Sequence, residues 1–158
     1  MAIPCDYNKE VDMVTTIGID PHKATHTAVA IDGSETVLGE VTVPADRYQT
    51  KKLIDWASEL DGDGRLWAVE AAGGLGYLLS QQLVAGGEQV VDVPPVLASR
   101  VRLLGSGRSD KNDPNDARSV TIAALRQPDL AVVLREDHTQ VLRMLAKRHR
   151  AGLRTLLL

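Results

Sequence analysis

The order of the predicted secondary-structure elements constrains the fold of this chain more than any other feature. Runs rich in β-branched residues predict strands at 13–20, 25–31 and 36–43. The segment Asp32-Gly33-Ser34-Glu35 between the second and third runs is typical of a tight turn. Strands this close in sequence pair without a long crossover, so the first third of the chain predicts an antiparallel meander.

Helices and strands alternate after the meander. The apolar spacing predicts a helix at 46–60, and a glycine-rich turn at 73–76 leads into a second helix that ends near residue 84. Further strands are predicted at 66–71, 89–93 and 130–134, and further helices at 96–104, 114–126 and from residue 136 onward. The order β-β-β-α-β-α-β-α-α predicts an α/β fold, in which helices flank a mixed sheet of about five strands and a C-terminal helix follows.

Length and composition limit the domain organisation. The 158 residues are enough for one domain with a substantial core and too few for two. Phe is absent, so the core must consist of Val, Leu, Ile and Ala side chains. We therefore expect a flexible N-terminal arm at 1–12, one α/β domain at 13–134, and at 135–158 the start of a helical segment with an approximate coiled-coil heptad pattern.

The charge distribution is uneven along the chain. Residues 143–158 hold five Lys and Arg residues and no acid, so the other 142 residues carry 13 basic and 21 acidic side chains, a net charge of −8. Such a basic segment indicates either an anionic partner or a solvated helix face. Cys5 is the single cysteine, and no signal-peptide pattern or long apolar run is present. We expect a cytoplasmic protein without a membrane span or an internal disulfide.

Four carboxylates stand where predicted strands end and a helix begins. Asp20 ends the first strand, Glu70 lies in the apolar run at 66–71, and Asp113 and Asp116 open the helix at 114–126. A buried carboxylate such as Glu70 costs several kcal/mol unless it meets a cation or gives up its charge. Acids from three separate elements are the ligands of a divalent-cation site, which most often acts on phosphodiesters.

Structural interpretations of the same acids stay open. Asp113 is a good helix N-cap because Pro114 follows at the first helical position, and Asp116 stands where a capping box places its acid. Asp20 could be a turn residue at a strand end. His22 and His26 fit a polar turn, and the four histidines lack the spacing of a zinc site.

Basic side chains near the acids could contact phosphates, or could serve solubility alone. These candidates for nucleic-acid binding are Lys111, Arg108, Arg118, Arg100 and Arg102.

Three motifs of this chain resemble the DEDD transposases of bacterial insertion sequences. They are GIDPHKATH at 18–26, EAAGG at 70–74 and KNDPNDA at 111–117, and their order and spacing match over about residues 13–126. The resemblance implies an RNase H-like domain similar to the Holliday-junction resolvase RuvC. It also implies that the catalytic, metal-binding tetrad consists of Asp20, Glu70, Asp113 and Asp116.

The resemblance carries further expectations about cofactor and partners. It implies DNA as the substrate and a structured guide RNA. The all-oxygen ligands themselves predict two Mg²⁺ (or Mn²⁺) ions, and we also expect homo-oligomers formed through the C-terminal helix. Members of this family continue into a domain with a nucleophilic serine, and no serine of this chain matches it. We therefore expect metal-dependent DNA strand processing in transposition and recombination from a domain that is incomplete alone.

Two alternatives of other classes remain open. One is a non-catalytic module that binds nucleic acid or oligomerises through its final helix. The other is a relative of the actin-like kinases, because Gly18-Ile19-Asp20 followed by Thr25 loosely resembles a phosphate-binding strand and turn.

Overall fold

A computed structural model describes residues 14–60, 64–104 and 113–136, together with Leu142, Leu145, Ala146 and His149 in helical conformation. Its elements follow the chain in the order β1 (Val14–Pro21), β2 (Thr25–Ile31), β3 (Val37–Pro44), α1 (Gln49–Ser58), β4 (Gly64–Glu70), α2 (Tyr77–Ala85), β5 (Val90–Val93), α3 (Pro95–Leu104) and α4 (Asp113–Arg126). The predicted element order is confirmed.

The five strands form one mixed sheet in the order β3-β2-β1-β4-β5. β1 pairs antiparallel with β2 and parallel with β4, so it is the central strand. β3 pairs antiparallel with β2, and β5 pairs parallel with β4. The predicted meander is therefore β3-β2-β1, and the two later strands extend it on the other side of β1.

Helices cover both faces of the sheet, and each face has its own apolar core. On one face Ile17, Ile19 and Trp67 pack with Leu53 of α1 and Leu83 of α2. The opposite face joins the sheet to α3 and α4 through two clusters, whose buried members are Ala68, Val91, Val93, Ala98, Val120, Ala123 and Ala124, and Val29, Ile31, Ala117 and Ile122. Alternate residues of β1 and β4 serve opposite cores, as the two-residue period of a strand requires.

Two predicted elements differ from those observed. The helix predicted at 46–60 begins at Gln49, because Asp46 forms a turn in which its Oδ1 accepts a hydrogen bond of 2.8 Å from the Tyr48 N–H. The strand predicted at 130–134 is reduced to one antiparallel bridge between Val91 and Val132. The predicted arm at 1–12 and most of the predicted segment at 135–158 lie outside the described residues.

Close packing of α4 on β1 depends on Gly18. A Cβ at this position would lie 2.2 Å from Thr121 Oγ1, 2.5 Å from Thr121 N and 2.7 Å from Ala117 O. Thr121 Oγ1 instead donates hydrogen bonds to Ala117 O at 2.8 Å and to Val29 O of β2 at 3.1 Å. The absence of a side chain at Gly18 therefore lets the helix backbone rest directly on the central strand.

Candidate metal centre

Asp20 and Glu70 lie on the same face of the sheet at the ends of neighbouring parallel strands. The register of β1 on β4 pairs Gly18 with Ala68 and Ile19 with Val69, and one further step brings Asp20 level with Glu70. Side chains at equivalent positions of parallel strands project to the same side. Asp20 is almost fully buried, Glu70 is half-buried, and the two carboxyl groups are close enough for the charge of Asp20 to act on Glu70.

A tight turn holds the strand end at Glu70. Ala71 has a φ of 51°, a left-handed conformation that costs a residue with a Cβ about 1–3 kcal/mol. The Ala71 N–H donates to Val93 O at 3.1 Å, and the Ala72 N–H donates to Asp92 Oδ1 at 2.8 Å. These bonds to β5 stabilise the strained turn, so the backbone next to Glu70 is anchored to the sheet.

The α4 helix brings Asp113 and Asp116 to the same end of the sheet. Thr121 and Ala117 of α4 lie over Gly18, and Asp20 is two residues further along the same face of β1. The first turn of the helix, which begins at Asp113, therefore lies beside Asp20. The Asp113 side chain is 56% exposed, whereas that of Asp116 is only 9% exposed.

His22 joins two of these acids. Its Nε2 lies 2.9 Å from Asp20 Oδ2, to which it donates a hydrogen bond, and 3.8 Å from Asp113 Oδ1. One ligand atom from each of these three residues lies within 4.8 Å of the other two, a spacing that could hold one metal ion. Within the described part of the chain, this is the one cluster of three or more His, Cys, Asp or Glu residues with that spacing.

Asp116 has a protein cation as its partner. Arg102 of α3 donates from Nη1 to Asp116 Oδ1 and from Nη2 to Ser99 Oγ at 3.2 Å. A buried carboxylate needs such a partner to keep its charge, and the guanidinium supplies it within the fold. Asp116 therefore lies next to the centre, while one of its oxygens is bound by Arg102.

The pKa of Glu70 responds to burial and to three charged neighbours, Asp20, Asp116 and Arg102. The pKa of Glu70 is raised to about 7, first by burial, then by the neighbouring Asp20 carboxylate, and to a smaller extent by the charge of Asp116. Arg102 opposes the rise. Without a bound cation, this cluster of acids cannot carry its full negative charge at neutral pH.

The predicted phosphate-binding residues occupy different environments. Arg100 and Arg118 are exposed, on α3 and α4 respectively, whereas Arg102 is engaged with Asp116. Lys111 and Arg108 lie outside the described residues.

Sequence reasoning interpreted His22 as a polar turn residue, and the structure places it among the acids. The missed signal is its position two residues after Asp20 in an extended segment, where both side chains take the same side. His26, by contrast, is buried on the opposite face, where its Nε2 is hydrogen-bonded to Gln49 Oε1 at 2.9 Å. Its burial lowers the pKa of His26.

Comparison with known proteins identifies the family. The sequence model of the IS110-type DEDD transposases, described as "Transposase", matches residues 17–156. The chain belongs to the DEDD transposase family. Family membership favours the transposase interpretation over that of an actin-like kinase.

A curated relative of this chain is an uncharacterized 44.8 kDa protein of insertion element IS116 from Streptomyces clavuligerus. The two sequences are 35% identical over 137 residues, which cover 87% of this chain and 34% of the relative. The chain therefore spans about a third of the length of this relative.

Solved structures of RuvC from Thermus thermophilus share the fold. RuvC in complex with a Holliday junction substrate matches with a TM-score of 0.55 at 15% identity, covering 76% of this chain and 99% of RuvC. A second RuvC structure matches with a TM-score of 0.51 at 14% identity, covering 75% and 99%. The predicted RuvC-like, RNase H-like fold is confirmed.

No helix among the described residues is long and apolar enough to cross a membrane.

Proposed function

We propose that this domain is the metal-dependent DNA-processing part of a DEDD transposase. In this proposal Asp20, Glu70, Asp113 and Asp116 hold one or two divalent ions, Mg²⁺ or Mn²⁺. The observation that carries the proposal is the approach of Asp20 and Asp113, from a central strand and a helix 93 residues later, within ligand distance of one another. Like charges that approach in a folded protein repel unless one carboxyl is protonated or a cation offsets the repulsion, and a bound divalent ion would do so here.

The donor set suits a hard divalent ion. Carboxylate oxygens are the preferred ligands of Mg²⁺ and Mn²⁺, and the exposed side of Asp113 leaves room for retained water or a substrate oxygen. Burial and the charge of Asp20 raise the pKa of Glu70, and a bound cation would lower it and favour the carboxylate. When bound, such ions supply an activated nucleophile and stabilise the leaving oxygen of a phosphodiester.

DNA is the proposed substrate. The curated relative is encoded by an insertion element, and one RuvC neighbour is described with a Holliday junction substrate. Arg100 and Arg118 are exposed on the two helices that flank the acids, where their guanidinium groups can reach phosphates without sequence preference. The structured guide RNA and an oligomer formed through the C-terminal helix stay predictions, as does the boundary of the domain at residue 134.

Calorimetric titration with Mg²⁺ and Mn²⁺ tests the metal site directly. Asp113→Asn should weaken binding by at least about tenfold, because even the loss of an outer-shell partner costs about 10–100-fold. Because Asp113 is exposed, the variant should keep the fold, and circular dichroism checks this. Asp129→Asn, at an exposed acid after α4, is the matched control and should bind like the wild type. Unchanged affinity in Asp113→Asn would show that the acids are not a metal site.

The nucleic-acid part needs a second measurement on the same proteins. We expect the wild type to bind a synthetic four-way DNA junction, with an affinity that falls steeply as salt rises. Arg100→Ala and Arg118→Ala together should weaken this binding and reduce the salt dependence, and Arg126→Ala, at the far end of α4, should not. Equal binding by all three proteins would remove these two arginines from the DNA interface.

A further inference from the structure

His22 is the residue of this centre that neither the acidic tetrad nor the proposed function uses. Its side chain is 45% exposed, and its backbone N–H donates to Thr25 O at 2.9 Å within the turn between β1 and β2. The turn therefore holds the imidazole against the acids while leaving one side of it open. The consequence is a nitrogen donor inside a group that is otherwise made of carboxylate oxygens.

The separations match those between ligands of a single ion. Neighbouring donors in an octahedral shell with bonds of about 2.1 Å lie about 3.0 Å apart, and opposite donors lie about 4.2 Å apart. His22 Nε2 lies 2.9 Å from Asp20 Oδ2, close to the separation of neighbouring donors, and 3.8 Å from Asp113 Oδ1, between the two separations. All three ligand atoms lie within 4.8 Å of one another, so these separations are compatible with ligands of one ion.

We propose that His22 is a metal ligand, and that the centre formed by Asp20, His22 and Asp113 takes a first-row transition ion such as Mn²⁺ in preference to Mg²⁺. The inference rests on the proposed function and names the class of its cofactor. Mg²⁺ requires oxygen ligands and retains its water, whereas an imidazole nitrogen strengthens binding along the series from Mn²⁺ to Ni²⁺. One nitrogen among the donors therefore favours the transition ions.

Asp116, the neighbouring acid, is not part of the centre formed by Asp20, His22 and Asp113. Arg102 already binds Asp116, so in this state the fold supplies one positive charge on that side of the centre. The two acids with His22 between them have no such guanidinium in the ion pairs of the described residues. A single ion at Asp20, His22 and Asp113 would leave the pair between Arg102 and Asp116 intact.

Pulsed electron paramagnetic resonance of the Mn²⁺-loaded protein tests the ligand directly. We expect the wild type to show the modulation of a coordinated nitrogen nucleus, and His22→Ala to lose it. His149→Ala removes an exposed histidine outside the cluster and should keep the signal. His22→Asn, which retains a polar side chain in the turn, should also lose it and replaces His22→Ala if that variant folds poorly.

Metal selectivity separates a ligand from a residue that only orients Asp20. By calorimetry, His22→Ala should lower Mn²⁺ affinity by about tenfold or more and Mg²⁺ affinity by less than about threefold. Equal losses for both ions, or a wild type without a nitrogen signal, would overturn the inference. If Asp113→Asn weakens Mn²⁺ binding and His22→Ala does not, the inference fails and the proposed function stands. If neither substitution matters, both fail.

Discussion

The fold favours a protonated Glu70, whereas the proposed metal site requires an ionised one. The end of a parallel strand next to Asp20 is a poor place for a charge, and burial raises the pKa of the Glu70 carboxyl to about 7. A metal ligand, however, must be ionised. Without an ion, burial favours the protonated form of Glu70, and a bound ion would favour the carboxylate.

The pKa of Glu70 makes stability depend on pH in a stated direction. The unfolded carboxyl has its ordinary value of 4.5, and the folded one about 7. In that interval the folded state binds more protons, so this contribution to stability is complete below pH 4.5 and is lost as pH rises through 7. In the presence of a chelator, the free energy of unfolding of the wild type should therefore fall relative to that of Glu70→Gln between pH 5 and pH 8.

Urea unfolding of both proteins at several pH values measures this difference. Comparison with Glu70→Gln cancels the titration of His26, whose lowered pKa has the opposite effect on stability. Glu59→Gln, at an exposed glutamate after α1, should differ from the wild type by an amount that does not change with pH. A constant difference for Glu70→Gln as well would contradict the raised pKa.

At the scale of elements, the contact between β1 and α4 decides where the acids of the helix lie. Gly18 permits the contact, and Thr121 stabilises it by donating a hydrogen bond to Val29 O on the next strand. Asp113 then approaches Asp20 because it lies at the start of the same helix. Helix placement and site geometry therefore depend on one glycine.

Gly18→Ala should disturb both stability and metal binding. The added Cβ would lie 2.2–2.7 Å from Thr121 and Ala117, two of whose atoms belong to the helix backbone, so α4 must shift. Overpacking of this kind costs about 1–3 kcal/mol, and the shift should weaken Mn²⁺ binding in calorimetry.

Gly64→Ala provides a control in the neighbouring parallel strand. Nothing lies within 4 Å of a Cβ at Gly64, so its stability should change by less than about 0.5 kcal/mol. If urea unfolding showed equal effects for the two substitutions, the close approach of α4 to β1 would not be the cause.

At the scale of the whole molecule, the centre joins segments that are far apart in the chain. Asp20, Glu70 and Asp113 come from β1, β4 and α4, so the unfolded chain cannot present them together. An ion that binds only the folded state stabilises it by mass action.

Thermal unfolding should therefore depend on metal concentration. At 100 times the dissociation constant, an ion adds about 2.7 kcal/mol, which raises Tm by about 5–10 °C for a domain of this size. Asp20→Asn should show no such rise, because it lacks the central ligand. A scanning calorimeter with and without Mn²⁺ makes the comparison, and equal shifts in both proteins would indicate binding elsewhere on the chain.

Local patterns were enough to predict most of the fold. The order of nine elements follows from apolar periodicity and turn residues, and the start of α4 follows from Asp113-Pro114. The prediction of a strand at 130–134 was wrong because this segment pairs with the sheet only at the bridge between Val132 and Val91. The extent of strand pairing depends on partner residues that local sequence does not specify. Strand ends and a helix start were enough to predict the four acids. The residues that pair with them, His22 and Arg102, could not be predicted in the same way.

The sequence alone determined the element order, the family motifs and the candidate acids, because each depends on residues close together in the chain. Only the tertiary structure decided that His22 lies between Asp20 and Asp113, and that Arg102 binds Asp116. Those contacts depend on how α4 rests on β1 and α3 on α4. Their physical origin is side-chain packing between distant segments, which no local pattern specifies.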